Sequence, residues 1–223
     1  MQSLLANVNI RINEKLYLKN PETSALGKSI IQESILLIDE MGFDNFTFKK
    51  LSEKVNSYES SIYRYFENKH KLLLYLSDWY WSWMEYRLVF GTTNINDKLE
   101  KLYKAIEIIT ARIEDDSETV YVNEAILNRI IVIEFTKTFL TKDVDSQNKE
   151  GFFLVYKKVV NRLIAMIQDV NSEYKYAKSL ASSVIEGSLH QHFLREHLKT
   201  ITNLENTTPK EFYIDLVTKT LKN

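Results

Sequence analysis

The sequence predicts an all-α fold, and three observations carry that expectation. Its 223 residues include only 5 glycines and 2 prolines, against an average usage of about 12% for the two together. Strand-rich folds turn often, and their turns draw on those residues. Apolar residues recur at helical spacing through most of the chain, as at Leu26, Ile30, Leu37 and Met41. Strand-like alternation is confined to residues 7–18, where Val8, Ile10 and Ile12 interleave with Asn9, Arg11 and Asn13. With no partner strand in view, that stretch is read as an extended arm lying against the body; pairing with a second copy is the alternative.

The helices follow in order. The first should begin at Asn20-Pro21, with asparagine as cap and proline at the first helical position. Gly42 should stop it, because glycine accepts a left-handed backbone. Thr47 should cap a short second helix, with Phe46 stapled onto Leu51 and with Phe48, Leu51 and Val55 as its apolar face. Asn56 takes the next turn in place of a glycine. A third helix spans 58–66, and Asn68 caps a fourth that runs to about residue 90. Further helices are expected at 97–113, 120–139, 152–170 and 173–198. The last is opened by the capping box Thr208-Pro209-Lys210-Glu211. Polar loops separate them at 114–118, 141–151 and 199–207.

Composition removes several function classes. The absence of cysteine excludes disulfides, thiolate zinc sites, iron–sulfur ligation and a cysteine nucleophile. Lys plus Arg number 29 against 30 acids, a formal charge of −1, so a nucleic-acid partner would have to meet local charge. The longest aliphatic run, residues 130–133, falls far short of the about 20 residues that span a bilayer. Residues 1–12 do not read as a secretory signal. The expectation is a soluble cytoplasmic protein with no membrane partner. No glycine-rich phosphate loop or nucleophile elbow is present, so no catalytic residue, enzyme activity or cofactor is expected. His190 and His192 each have a glutamate one turn away, Glu186 and Glu196, but with no thiolate and no third ligand a metal is not expected.

The informative region lies between Ile30 and Leu76. Three helices, the second and third short and joined by a tight turn, make a helix-turn-helix arrangement. Between Thr47 and Leu76 there are six basic residues (Lys49, Lys50, Lys54, Arg64, Lys69, Lys71) and three acids (Glu53, Glu59, Glu67). Phe48, Leu51, Val55, Ile62 and Phe66 read as packing residues.

Gly42, Thr47, Leu51-Ser52, Tyr63, Tyr65, Phe66 and Lys69 together resemble the DNA-binding head of the TetR family of bacterial transcriptional regulators. The resemblance covers about a fifth of the chain and combines spacing with residue type. After the extended arm, taken as residues 1–22, it implies a helix-turn-helix DNA-binding domain over 23–70 and a helical regulatory and dimerisation body over 71–223. A recognition helix in the major groove would bring Tyr58, Glu59, Ser60, Ser61, Tyr63, Arg64 and Tyr65 toward DNA. Thr47 and Lys69 would meet phosphates at helix N-termini.

Three positions depart from the family pattern. Asn56 replaces a usual glycine, Ser57 a usual apolar residue and Tyr58 a usual serine cap. If the cap has moved to Ser57, which of Tyr58 and Glu59 faces the groove stays open. The resemblance further implies a homodimer through the last two helices, acting as a repressor on a palindromic double-stranded operator and released by a small-molecule effector. Candidate effector contacts are Trp83, Tyr86, Glu124 and Arg129. The alternative is a helical small-molecule-binding protein whose DNA head is vestigial.

Overall fold

The computed structural model describes residues 10–113, 121–203 and 206–222, and among them it contains helices and no strand. The α-helices are α1 (Ala25–Asn45), α2 (Phe48–Lys54), α3 (Glu59–Tyr63), α4 (Lys69–Thr92), α5 (Lys98–Thr110) and α6 (Glu124–Glu134). They continue with α7 (Thr136–Phe139), α8 (Val144–Lys149), α9 (Leu154–Val170), α10 (Ala177–His197) and α11 (Pro209–Leu221).

Most boundaries follow from local chemistry. Thr47, Asp97 and Thr208 accept from the backbone amides of Lys50, Glu100 and Glu211, and Glu211 returns the bond in a full capping box. Gly42 sits at φ 75°, which breaks the helical path before Phe46. The start of α1 differs from expectation. Asn20 and Pro21 open a 3₁₀ turn, Pro21–Thr23, and Ser24 caps α1 by accepting from Gly27 N–H at 3.1 Å. A side chain at Gly27 would collide with the Pro21 carbonyl, so the chain folds back on the first turn of α1. The expected 120–139 helix is interrupted at Phe135, and the expected 141–151 loop contains α8. The expected 114–118 loop and the first nine residues of the arm lie outside the described residues.

The chain divides into two compact units. One comprises Met1–Ser82 and Ile113–Leu154. In it α1 packs against α2 and α6, and α2 packs against α3. Its interior holds Ile30, Ile35, Ile38, Phe46, Leu51, Ile62, Phe66 and Leu72, each at most 2% exposed. Full burial of such a side chain contributes about 1.5–3 kcal/mol. The arm lies against this unit: Ile10 and Leu16 are buried, and Asn13 N–H donates to Asp78 Oδ2 at 3.1 Å.

The other unit comprises Trp83–Arg112 and Val155–Asn223. In it α5, α10 and α11 pack on one another. Gly187 of α10 lies under Tyr213 of α11, and a Cβ there would strike the tyrosine hydroxyl. His192 is buried, and its Nε2 sits 3.1 Å from the Thr110 carbonyl. A carbonyl only accepts, so Nε2 carries the proton. Among the described residues no helix is long and apolar enough to cross a membrane, and no group of three His, Asp or Glu side chains could hold a metal ion.

Candidate nucleic-acid interface

The helix-turn-helix is built from short-range bonds. Thr47 Oγ1 accepts from Lys50 N–H at 3.3 Å and starts α2. Val55 N–H donates to Leu51 O at 3.0 Å, and Ser57 N–H reaches Ser52 O at 2.9 Å. Asn56 closes the turn at φ 48°, the left-handed region where asparagine substitutes for glycine at least cost. Ile62 is wholly buried under α3, and the Phe48 ring meets the Tyr63 ring edge-on at 5.0 Å. These contacts fix which face of α3 is turned inward.

The opposite face is polar and open. Tyr58 is 82% exposed and Tyr63 48% exposed. Ser60 and Arg64 are exposed, Thr47 is exposed at the start of α2, and Glu59 and Ser61 are half-buried. Tyr58 occupies the cap position of α3 without a side-chain cap bond, so the cap has not moved back to Ser57. Of the motif's aromatic side chains Tyr58 is the most exposed, with Glu59 tucked further in.

Two of the expected DNA contacts are engaged within the protein. Tyr65 is only 4% exposed, and its hydroxyl shares a 2.8 Å hydrogen bond with Ser24 Oγ. Together with the nearby Lys19 ammonium, that bond draws the phenol's pKa below its ordinary value. Tyr65 belongs to the interior because it joins α3 to the segment before α1. Lys69 is a strut. Its Nζ donates to the carbonyls of Phe43, Asp44 and Phe46 at 3.0, 3.1 and 3.0 Å. An ammonium has three N–H donors, and all three are taken by the end of α1.

The break at Gly42 is held from a second side within the same unit. Glu134 is 4% exposed, and its Oε1 accepts from Phe43 N–H at 3.0 Å. Lys137 lies 2.8 Å from both Glu134 Oε2 and Asp44 Oδ2. Burial works against the Lys137 charge, but the bonds to Asp44 and Glu134 outweigh it and raise its pKa. The i, i+3 spacing of Glu134 and Lys137 was visible in sequence; their joint grip on residues 43 and 44 carried no sequence signal.

The four candidate effector contacts do not form one cluster within a unit. Trp83 and Tyr86 belong to the second unit, where Arg87 stands 4.7 Å over the Trp83 ring and Tyr86 stacks on Phe90 at 6.3 Å. Glu124, only 2% exposed, and Arg129 belong to the first. Arg129 stands at the surface, where it holds Asp39 of α1 in a bidentate pair at 2.9 and 2.6 Å, with its side chain 47% exposed. A cleft of about 440 Å³ in the second unit, between Gln191, Thr202, Glu211 and Phe212, is lined by none of the four.

Comparison with known proteins places the motif. Residues 30–76 match the family model for bacterial regulatory proteins of the tetR family. No curated protein sequence matches the chain. In fold it is similar to AibR in complex with isovaleryl coenzyme A and operator DNA, at 15% identity and TM-score 0.59, covering 87% of this chain and 97% of that one. It is also similar to the superantigen PfiT, at 18% identity and TM-score 0.60, covering 92% of this chain and 100% of that one. A third similar structure is the fatty acid degradation regulator FadR from Bacillus halodurans, at 16% identity and TM-score 0.52, covering 86% and 93%. At such identities the likeness speaks to fold. Residues 30–76 are thus similar to the bacterial regulatory proteins of the tetR family, and the chain as a whole shares the fold of AibR.

Proposed function

We propose that the protein is a ligand-responsive transcriptional repressor that binds a palindromic operator as a homodimer. The observation that carries this reading is the two-faced α3: Ile62 holds one side, Tyr58, Ser60 and Arg64 stand open on the other, and Tyr63, packed on Phe48 yet 48% exposed, lies at the edge between them. Side chains of this kind meet base edges when a short helix enters the major groove. Thr47, Glu59 and Ser61 are proposed at the margins of that contact, where Glu59 would accept from a cytosine amino group.

A dimer is supported by α11, which leaves Phe212 and Leu216, one turn apart, 47% and 37% exposed in a single chain. Two heads so joined would meet successive major grooves about 34 Å apart. The likeness to AibR, whose structure contains an acyl-coenzyme A and operator DNA, supports a small-molecule effector, with Trp83 and Tyr86 as candidate contacts. That effector must bind the DNA-competent and released states unequally, or nothing shifts.

The test is selection of the purified protein on random duplex DNA, followed by gel shift. A shared palindrome should emerge, and Tyr63→Ala or Ser60→Ala should weaken binding to it. If no palindrome is enriched, the repressor reading fails. A vestigial head is then favoured, a reading that draws on the uncapped α3 and on the likeness to the superantigen PfiT, since fold does not fix function.

A further inference from the structure

Of the six cations between Thr47 and Leu76, three are held within the protein, while Lys49, Lys54 and Arg64 are exposed. Lys69 is spent on three carbonyls. Lys71 Nζ donates to Lys15 O and lies 4.0 Å over the Phe152 ring. Lys50 Nζ donates to Asn45 O at 2.9 Å. A helix seated in the major groove has phosphate walls at its two ends, and a head that binds DNA draws on positive charge there.

Such a charge stands at the C-terminal end of α3, supplied from outside the motif. Leu18 N–H donates to Tyr65 O at 2.8 Å, and Ser24 Oγ bonds the Tyr65 hydroxyl at 2.8 Å. The segment from Leu18 to Ser24 is thereby bracketed onto the residue that follows Arg64. Between those two anchors lies Lys19. It is exposed, its Nζ stands 5.1 Å over the Tyr65 ring, and among the described residues no carboxylate lies within ion-pair distance of it. Tyr65 is the mount that holds this lysine at the residue following Arg64.

We propose that Lys19 is a positioning residue for operator binding: it neutralises a backbone phosphate at the C-terminal end of α3. This rests on the DNA-binding reading above. It makes the segment before α1 part of the interface and assigns the Tyr65–Ser24 bond the task of holding it there.

The test uses the full chain and two probes, a duplex of scrambled sequence and the palindrome recovered by selection. Affinities are measured by fluorescence anisotropy over a salt series for the wild type, Lys19→Gln and Lys19→Arg. Each phosphate contact contributes about 0.9 to the slope of log affinity against log salt. Lys19→Gln should therefore flatten the slope by about one and weaken both probes about five- to tenfold near 0.1 M salt. Lys19→Arg should restore both. A wild type that binds while Lys19→Gln keeps its slope would overturn the role of Lys19 and leave the DNA reading intact. Loss on the palindrome alone would overturn it too, since that marks a base contact. A wild type that binds neither probe overturns both readings.

Discussion

The carboxylate of Glu134 accepts the main-chain N–H of Phe43 at 3.0 Å, across a sequence separation of 91 residues. Gly42 turns the backbone out of the helix at that point, so the Phe43 amide has left the helical ladder and is buried. A buried amide without an acceptor costs about 1–3 kcal/mol. Glu134→Ala should therefore lower unfolding stability by about that amount in urea titration. Glu134→Gln keeps an acceptor oxygen and should lose less. Equal losses in the two variants would mean that the Phe43 bond contributes nothing.

Lys69 gives the reverse test of a residue that sequence reasoning assigned to DNA. Removing a charged donor from three carbonyls should cost stability, because hydrogen bonds to charged groups contribute about 1.5–3 kcal/mol. Lys69→Met should thus lower the urea midpoint. In the DNA salt series it should leave the slope unchanged, since its ammonium is not free to pair with phosphate. A flattened slope would return Lys69 to the interface.

Asn56 carries the turn at φ 48°. Asn56→Gly should be neutral or slightly stabilising. Asn56→Ala should lose about 1 kcal/mol, since a Cβ without a local polar bond disfavours that region. Circular-dichroism melts of the two variants decide it, and an alanine variant as stable as the glycine one would refute the argument.

Stability should also depend on pH through His192. Burial disfavours its charged form and lowers its pKa below the ordinary 6.5, more than the Thr110 carbonyl raises it. The unfolded chain then binds a proton that the folded chain refuses. The contribution of His192 is fully present above pH 6.5 and is lost progressively as pH falls below that value. His192→Gln should flatten the decline in unfolding free energy as pH falls below about 6.5. An unchanged pH profile would exclude His192 as its source.

What the sequence made legible was local. Thr47, Asn68, Asp97 and Thr208 each accept from the amide three residues ahead, so residue type and spacing reveal them. Gly42 and Asn56 announce themselves because few residues tolerate positive φ. The start of α1 was misplaced because Asn20-Pro21 serves a 3₁₀ turn as well as it would an α-helix. The hidden part of the site was long-range. Tyr65 reaches Ser24 over 41 residues, Lys69 reaches Phe43 over 26, and Arg129 reaches Asp39 over 90. None of these partners leaves a mark near the residue that finds it.

The Gly42 corner has a consequence for chimeras. A graft that transplants residues 30–76 alone brings the Phe43 amide and the Asp44 carboxylate into a host lacking Glu134 and Lys137. The portable cassette must include the second stretch of chain, so exchange of specificity between relatives is a two-segment operation.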